Sequence, residues 1–245
     1  MHRLKLTVAY DGTDFAGWQH QPSERTVQGV LESAWHAITG EAVGVTASGR
    51  TDAGVHAEGQ VVGVATRTGI APEQLRRALN AKLPDDVVVR LVESAPDSFH
   101  ATHDALRKTY RYQVHNSRQR PLFDRRYVWH VPTADLDAAA MGQGGAALVG
   151  RYDFACFESA GSERSSTVRT VTRLNVARSG DRVDIEVTGD GFLYNMVRAI
   201  AGTLVEVGRG ARPAAWVAEV LASRDRSAAG PTAPASGLVL QSVEY

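Results

Sequence analysis

Leu4, Leu6, Val8 and Tyr10 alternate with more polar neighbours, so the chain opens on a strand with one face turned to a core. Asp11-Gly12 ends that strand in a turn. Beyond the polar loop Gln19-His20-Gln21-Pro22-Ser23 the period lengthens. Val27, Val30, Leu31, Ala34, Trp35 and Ile38 fall on one side of a helix, with Thr26 as its N-cap and Gly40 as its stop. Strands are expected from Val43 to Thr46 and from Gln60 to Thr66. A second helix follows, with Pro72 near its start and Leu75, Ala78 and Leu79 inward, and then a strand from Val87 to Val92. The order strand, helix, strand, strand, helix, strand is the split βαβ or ferredoxin-like plan.

The second half repeats that plan more loosely. The pattern predicts strands at Thr109 to His115 and Arg126 to Val131, then a helix over Leu136 to Leu148 that three glycines weaken. Strands at Val168 to Ala177 and Arg182 to Thr188 come next, followed by helices at Leu193 to Val207 and Pro213 to Leu221. Gly230 to Pro234 reads as a turn-rich connector and Leu238 to Val243 as a closing strand. The expected fold is therefore α+β, with two ferredoxin-like (RRM-like) halves, 1–104 and 105–245. A cleft between two such halves is where a ligand site tends to lie.

Composition narrows the classes. A chain of 245 residues with 43% apolar content can bury a core as one large domain or two smaller ones. It shows no basic segment leading into an apolar run at its start and no stretch of eighteen apolar residues, so a cytoplasmic protein without a membrane span is expected. Cys156 is the only cysteine, which excludes an internal disulfide and a cysteine-based zinc cluster. His100 and His103 lie close in sequence without an evident third ligand, so no metal site is expected. The net charge of zero argues against a uniformly basic nucleic-acid protein. Yet 24 of the 27 basic residues are arginine, and Arg118, Arg120, Arg125 and Arg126 are clustered. Arginine's planar fork suits phosphates and base edges, whereas a compositional bias would give the same count.

The densest chemistry lies between the second and third expected strands, in Gly49-Arg50-Thr51-Asp52-Ala53-Gly54-Val55-His56. A guanidinium, a carboxylate, an imidazole and two glycines share eight positions on a loop that a sheet would hold rigid. Taken alone, Asp52 in such a loop reads as an Asx turn in a hairpin connection; the density favours a site. Two other residues leave alternatives open. Arg198 lies on the side of an apolar helix opposite Met196, Ile200, Leu204 and Val207, among Tyr194, Ala201, Gly202 and Val205. It is either partly buried and in need of a carboxylate, or extended along its stem to water. Tyr110 shares a strand face with Tyr112 and Val114, which on periodicity alone makes it a core aromatic.

The run from Gly49 to His56, with Gly59-Gln60-Val61-Val62 after it, resembles the active-site signature of the tRNA pseudouridine synthase A family. The likeness extends through Tyr10-Asp11-Gly12, Gly17-Trp18-Gln19, Thr26-Val27-Gln28, Asn80-Ala81-Lys82-Leu83-Pro84, Phe99-His100-Ala101, Tyr110-Arg111-Tyr112, Phe192-Leu193-Tyr194-Asn195-Met196-Val197-Arg198 and Ala235-Ser236-Gly237-Leu238. The resemblance implies two ferredoxin-like halves sharing a central antiparallel sheet, a homodimer, no cofactor and no metal. It implies tRNA as the partner, with uridines isomerised on the 3′ side of the anticodon arm, at tRNA positions 38–40. By the same resemblance Asp52 is the catalytic aspartate, and Tyr110 stacks on the target base. Arg50 helps to displace that base, and Arg198 pairs with the catalytic carboxylate and keeps it ionised. One departure stands out: after Phe99-His100-Ala101 the family usually has arginine, and this chain has Thr102. A phosphate contact expected there is in doubt, with Lys108 or a neighbouring arginine as the substitute.

Rival classes fit less well. His56-Ala57-Glu58 matches the H-x-E element of zinc deaminases, but one cysteine cannot supply the Cys-x-x-Cys partner. The strands lack aromatic RNP motifs, and neither G-x-S-x-G nor a P-loop is present. A catalytically silent tRNA-binding protein or chaperone of the same fold is the remaining alternative.

Overall fold

The first strand, β1 (His2–Tyr10), buries Leu4, Leu6, Val8 and Tyr10 and leaves the residues between them partly exposed, the alternation its sequence predicts. It belongs to a mixed α+β chain, described in a computed structural model over residues 1–161 and 166–245. Two units can be distinguished, Met1–Leu106 with Val239–Tyr245, and Arg107–Leu238.

In the first unit β1 is followed by α1 (Val27–Thr39), β2 (Val45–Ala47), β3 (His56–Thr66), α2 (Pro72–Lys82) and β4 (Val87–Ala95). The closing strand β10 (Leu238–Glu244) lies beside β3 in parallel, Val239 opposite His56 and Leu240 opposite Ala57. The strand order is β4-β1-β3-β10, with β2 also paired to β3. Thus the last seven residues, which the sequence groups with the second half, pack with the first unit. Helix α1 starts where expected because the Thr26 side chain accepts the Gly29 N–H, and stops at Gly40, whose φ of 72° is left-handed. Val27, Leu31, Ala34 and Trp35 form its buried face. β3 begins four residues earlier than the alternation suggests, at His56, because it is buried along almost its whole length and shows no period of two.

The second unit carries β5 (Arg107–His115), β6 (Trp129–His130), α3 (Ala138–Ala146), β7 (Gly150–Asp153), β8 (Val168–Ser179), β9 (Arg182–Gly189), α4 (Met196–Gly208) and α5 (Trp216–Ser223). The main strands run in the order β5-β9-β8-β7, and β6 pairs in parallel with β5. Three expectations change here. The strand expected over Arg126 to Val131 shrinks to two residues. The edge strand β7 was not foreseen, since its four residues are all at least partly exposed and give no apolar signal. Helix α4 starts at Met196 rather than Leu193, because Asn195 sits at φ 61°, a left-handed conformation that cannot continue a helix. Apart from Arg198 and Glu206, every residue of α4 is buried. No helix among the described residues is long and apolar enough to cross a membrane.

Candidate active site

Residues 48–55 leave β2 and return into β3, and the loop they form is fastened on both sides of Asp52. Ser48 is fully buried; its N–H donates to the Val61 carbonyl (2.8 Å) and its hydroxyl to Gln60 Oε1 (2.7 Å). Gln60 Nε2 in turn donates to the Gly49 carbonyl (2.9 Å). Thr51 is held twice: its Oγ1 lies 2.8 Å from the Tyr10 hydroxyl, and its carbonyl accepts the Trp18 N–H at 2.9 Å. Past the carboxylate, the Val55 N–H closes a turn onto the Asp52 carbonyl (3.1 Å), with Gly54 left-handed at φ 78°. Thr51 and Val55 are thereby buried, Asp52 is half-buried and Arg50 is exposed. Main-chain bonds and the side chains of Ser48, Gln60, Thr51 and Tyr10 brace this loop, which gives the carboxylate and the guanidinium a rigid support.

Two glycines allow the close approach. A Cβ on Gly17 would lie 2.9 Å from the Thr51 carbonyl oxygen, and one on Gly12 would run into the Val55 carbonyl. His56 Nδ1 lies 3.0 Å from the Gly12 N–H nitrogen and 3.1 Å from Asp11 Oδ1. One ring nitrogen serves only one of these at a time, as acceptor from Gly12 when neutral or as donor to Asp11 when protonated. Either way, this buried imidazole ties the end of β1 to the exit of the loop. It has structural work of its own, and no group of three or more His, Cys, Asp or Glu suited to a metal is present among the described residues.

The network of Tyr10, Thr51, Ser48 and Gln60 was not singled out from sequence, where Tyr10 reads as one more inward strand residue. Burial pushes its phenol up to about 12, with the hydrogen bonds to Thr51 and Gln60 pulling the other way, so it stays protonated throughout the neutral range. Tyr10→Phe keeps the ring but strips the hydroxyl from Thr51 and Gln60. It should cost about 1–3 kcal/mol, read as a fall in Tm in thermal unfolding, with a larger proportional loss in activity than Thr7→Val on the same strand. An unaltered Tm and rate would remove Tyr10 from the loop's support.

Thr102 occupies the place where arginine was expected, and its hydroxyl donates to the Ala47 carbonyl at 2.7 Å, one residue before Ser48. In this chain the position braces the base of the loop.

Of the four candidate residues, Arg50 and Asp52 share this loop in the first unit; Tyr110 and Arg198 belong to the second. Tyr110, on β5, is 8% exposed, and Phe192 meets its ring edge-on (centroids 5.1 Å apart, 83° between planes). Arg198 is half-buried, and two neutral groups hold it. Its Nε donates to the Ala233 carbonyl and its Nη1 to Asn195 Oδ1, both at 2.7 Å, while the Ala233 N–H returns a bond to the Arg198 carbonyl (3.1 Å). Asn195 can reach back because it is left-handed at the helix start, a geometry that its sequence position alone does not announce. Tyr112 lies near this guanidinium and donates to the Pro234 carbonyl at 2.7 Å. Burial raises its phenol far above the ordinary range, against the opposing pull of Arg198.

A family model described as tRNA pseudouridine synthase matches residues 6–104 and 146–245. The chain belongs to the tRNA pseudouridine synthase family. It is an enzyme of that class, whose reaction is the isomerisation of uridine to pseudouridine in tRNA. A Brevibacillus brevis protein named tRNA pseudouridine synthase A is 49% identical over 245 residues, covering the whole of both chains. Proteins of the same name from Methylobacterium sp. and Myxococcus xanthus are 46% and 49% identical, over all of this chain and 98% and 92% of theirs. Within the synthase pattern Arg50 and Asp52 fall in the first matched segment and Arg198 in the second, whereas Tyr110 lies between them.

Proposed function

We propose that the chain converts uridines on the 3′ side of the tRNA anticodon arm to pseudouridine, with Asp52 as the catalytic residue. The observation that carries this reading is the loop itself: a half-buried carboxylate and an exposed guanidinium, two residues apart, on a turn fixed by its own backbone. The reaction breaks the C1′–N1 bond, turns the uracil, joins C5 to C1′ and releases the C5 proton, with no change of oxidation state. A carboxylate serves it as nucleophile at C1′ or at C6, or as base toward the C2′ proton. Turning the uracil requires its extraction from the stack, at a cost of a few kcal/mol. In this proposal Arg50 fills the vacated place, Tyr110 supports the extruded base, and Arg198 pairs with the carboxylate. Stacking on an aromatic ring is worth about 1–3 kcal/mol, enough to offset much of the cost.

The test is release of tritium from tRNA transcripts labelled at uridine C5, with the product mapped along the anticodon arm. Tyr110→Phe is expected to keep tRNA binding on filters while slowing release; release at the wild-type rate would make Tyr110 a core aromatic and nothing more. We extend the proposal to architecture. Each half, 1–104 and 105–245, is ferredoxin-like, and the functional protein is a cytoplasmic homodimer. The order β4-β1-β3-β2 in the first unit supports the ferredoxin-like reading of that half. A tRNA substrate supports the cytoplasm.

A further inference from the structure

The sequence cluster Arg118, Arg120, Arg125 and Arg126 lies in a segment that the proposed chemistry does not use, between Asn116 and Val128. At its tip Leu122 and Phe123 are 67% and 89% exposed, which makes Phe123 the most exposed large apolar side chain among the described residues. The segment is held in place at both root and tip. At the root, the Asn116 N–H donates to the Asp181 carbonyl (2.7 Å), and Asn116 Nδ2 to that of Val131 (3.1 Å). His130 Nε2 lies 2.9 Å from the Ser117 carbonyl. At the tip, Arg125 Nη1 donates to the Leu122 carbonyl and the Tyr127 N–H to the Asp124 carbonyl, both at 2.8 Å, while Arg182 pairs with the Asp124 carboxylate at 3.0 Å.

An aromatic ring held out in water on an ordered protrusion marks a contact surface, and its surroundings say for what. Residues 117–127 carry four arginines against one aspartate, a net charge of +3 on a protein whose total is zero. The one aspartate is already engaged by Arg182. Arg118, Arg120, Arg125 and Arg126 are all exposed. A second copy of the chain meeting the tip across a two-fold axis would bring like charges together. A nucleic acid offers what this surface lacks, namely phosphates for the arginines and a π face for the ring.

We infer that this protrusion is an RNA contact, in which Phe123 stacks on an unpaired or helix-end base of the tRNA and Arg118 and Arg120 engage the phosphates beside it. The inference rests on tRNA being the substrate. The segment falls in 105–145, between the two parts of the chain that the family model matches.

The experiment compares the full-length wild type with Phe123→Ala, Phe123→Trp and the double variant Arg118→Ala/Arg120→Ala. Filter binding of an unmodified tRNA transcript is measured over a range of salt, with sedimentation velocity in parallel. Phe123→Ala is expected to weaken tRNA binding about 5- to 150-fold, the range that loss of one base–aromatic stack gives, and Phe123→Trp to restore it. The double variant is expected to reduce the slope of log K against log salt by about two, one for each phosphate contact. Association between copies should be unchanged in all three. Wild-type affinity in Phe123→Ala overturns the inference. So does a shift in its sedimentation, which would make the tip a protein interface. Should the wild type itself neither retain tRNA nor release tritium, the proposed function falls with it; an active wild type beside an unaffected Phe123→Ala sinks the RNA contact alone.

Discussion

Asp52→Asn should lower tritium release from C5-labelled tRNA by about 10³-fold or more, on the scale of losing a nucleophile or base, while tRNA is still retained on filters. The substitution keeps size and shape and removes only the charge and the nucleophilic oxygen. The structure gives a reason to expect an intact loop in the variant. The turn is closed by main-chain bonds, Val55 N–H to the Asp52 carbonyl and Trp18 N–H to the Thr51 carbonyl, with Thr51 Oγ1 against Tyr10. Binding should persist because tRNA affinity comes chiefly from phosphate contacts made over a wide surface. Release and binding measured on one preparation, with thermal unfolding as the control, separate chemistry from folding. Release that survives would move the active site elsewhere and return residues 49–54 to the status of a tight turn.

Gly202→Ala is expected to be the most damaging single-methyl change in the second unit. A Cβ at this point on α4 would collide with the Pro231 carbonyl oxygen, a backbone atom that cannot rotate away. The connector after α5 lies directly on the helix: Gly230 N–H donates to Thr203 Oγ1 (2.9 Å), and a Cβ on Gly230 would come within 2.7 Å of the Thr203 Cα. Three residues beyond Gly230, Ala233 exchanges hydrogen bonds with both the main chain and the guanidinium of Arg198. A methyl at Gly202 therefore lifts the connector and removes an acceptor from Arg198 with it. The cost should be about 3 kcal/mol, at the upper end for an overpacked core. For a chain of this size that lowers Tm by about 6–12 °C. Activity should fall further than the unfolded fraction accounts for, because Arg198 loses its anchor. Gly142→Ala on α3 supplies the comparison, since nothing lies within 4 Å of its Cβ position. There the helix should gain up to about 1 kcal/mol. If Gly202→Ala melts with the wild type, the close packing of connector on helix is wrong.

Where the chain keeps a clean period, its sequence was enough. Leu4 to Tyr10 as a one-faced strand and the Thr26 and Gly40 boundaries of α1 follow from residue type and spacing, because the forces involved act within a few residues. The density of Arg50, Asp52 and the glycines around them likewise marked the candidate loop without coordinates. What a neighbouring strand or a backbone conformation decides could not be read this way. β7 exists because β8 offers it hydrogen bonds, not because Gly150 to Asp153 favours a strand. β10 packs beside β3, more than 170 residues earlier, by a pairing that no local pattern encodes. The expected boundary of α4 failed at Asn195, where a left-handed residue is stabilised by its bond to the Arg198 side chain three positions on.

The same division runs through the candidate site. Sequence by itself determined which groups are available: the carboxylate of Asp52, the guanidinium of Arg50, a tyrosine on β5 and an arginine on an apolar helix. Only the tertiary structure decided how they are held. Tyr10 and Gln60 brace the loop from neighbouring strands, Gly12 and Gly17 admit its backbone at close range, and Ala233 and Asn195 fix Arg198. Residue identity sets what a side chain can do chemically, whereas its orientation comes from hydrogen bonds to atoms tens of residues away, which exist only once the chain has folded.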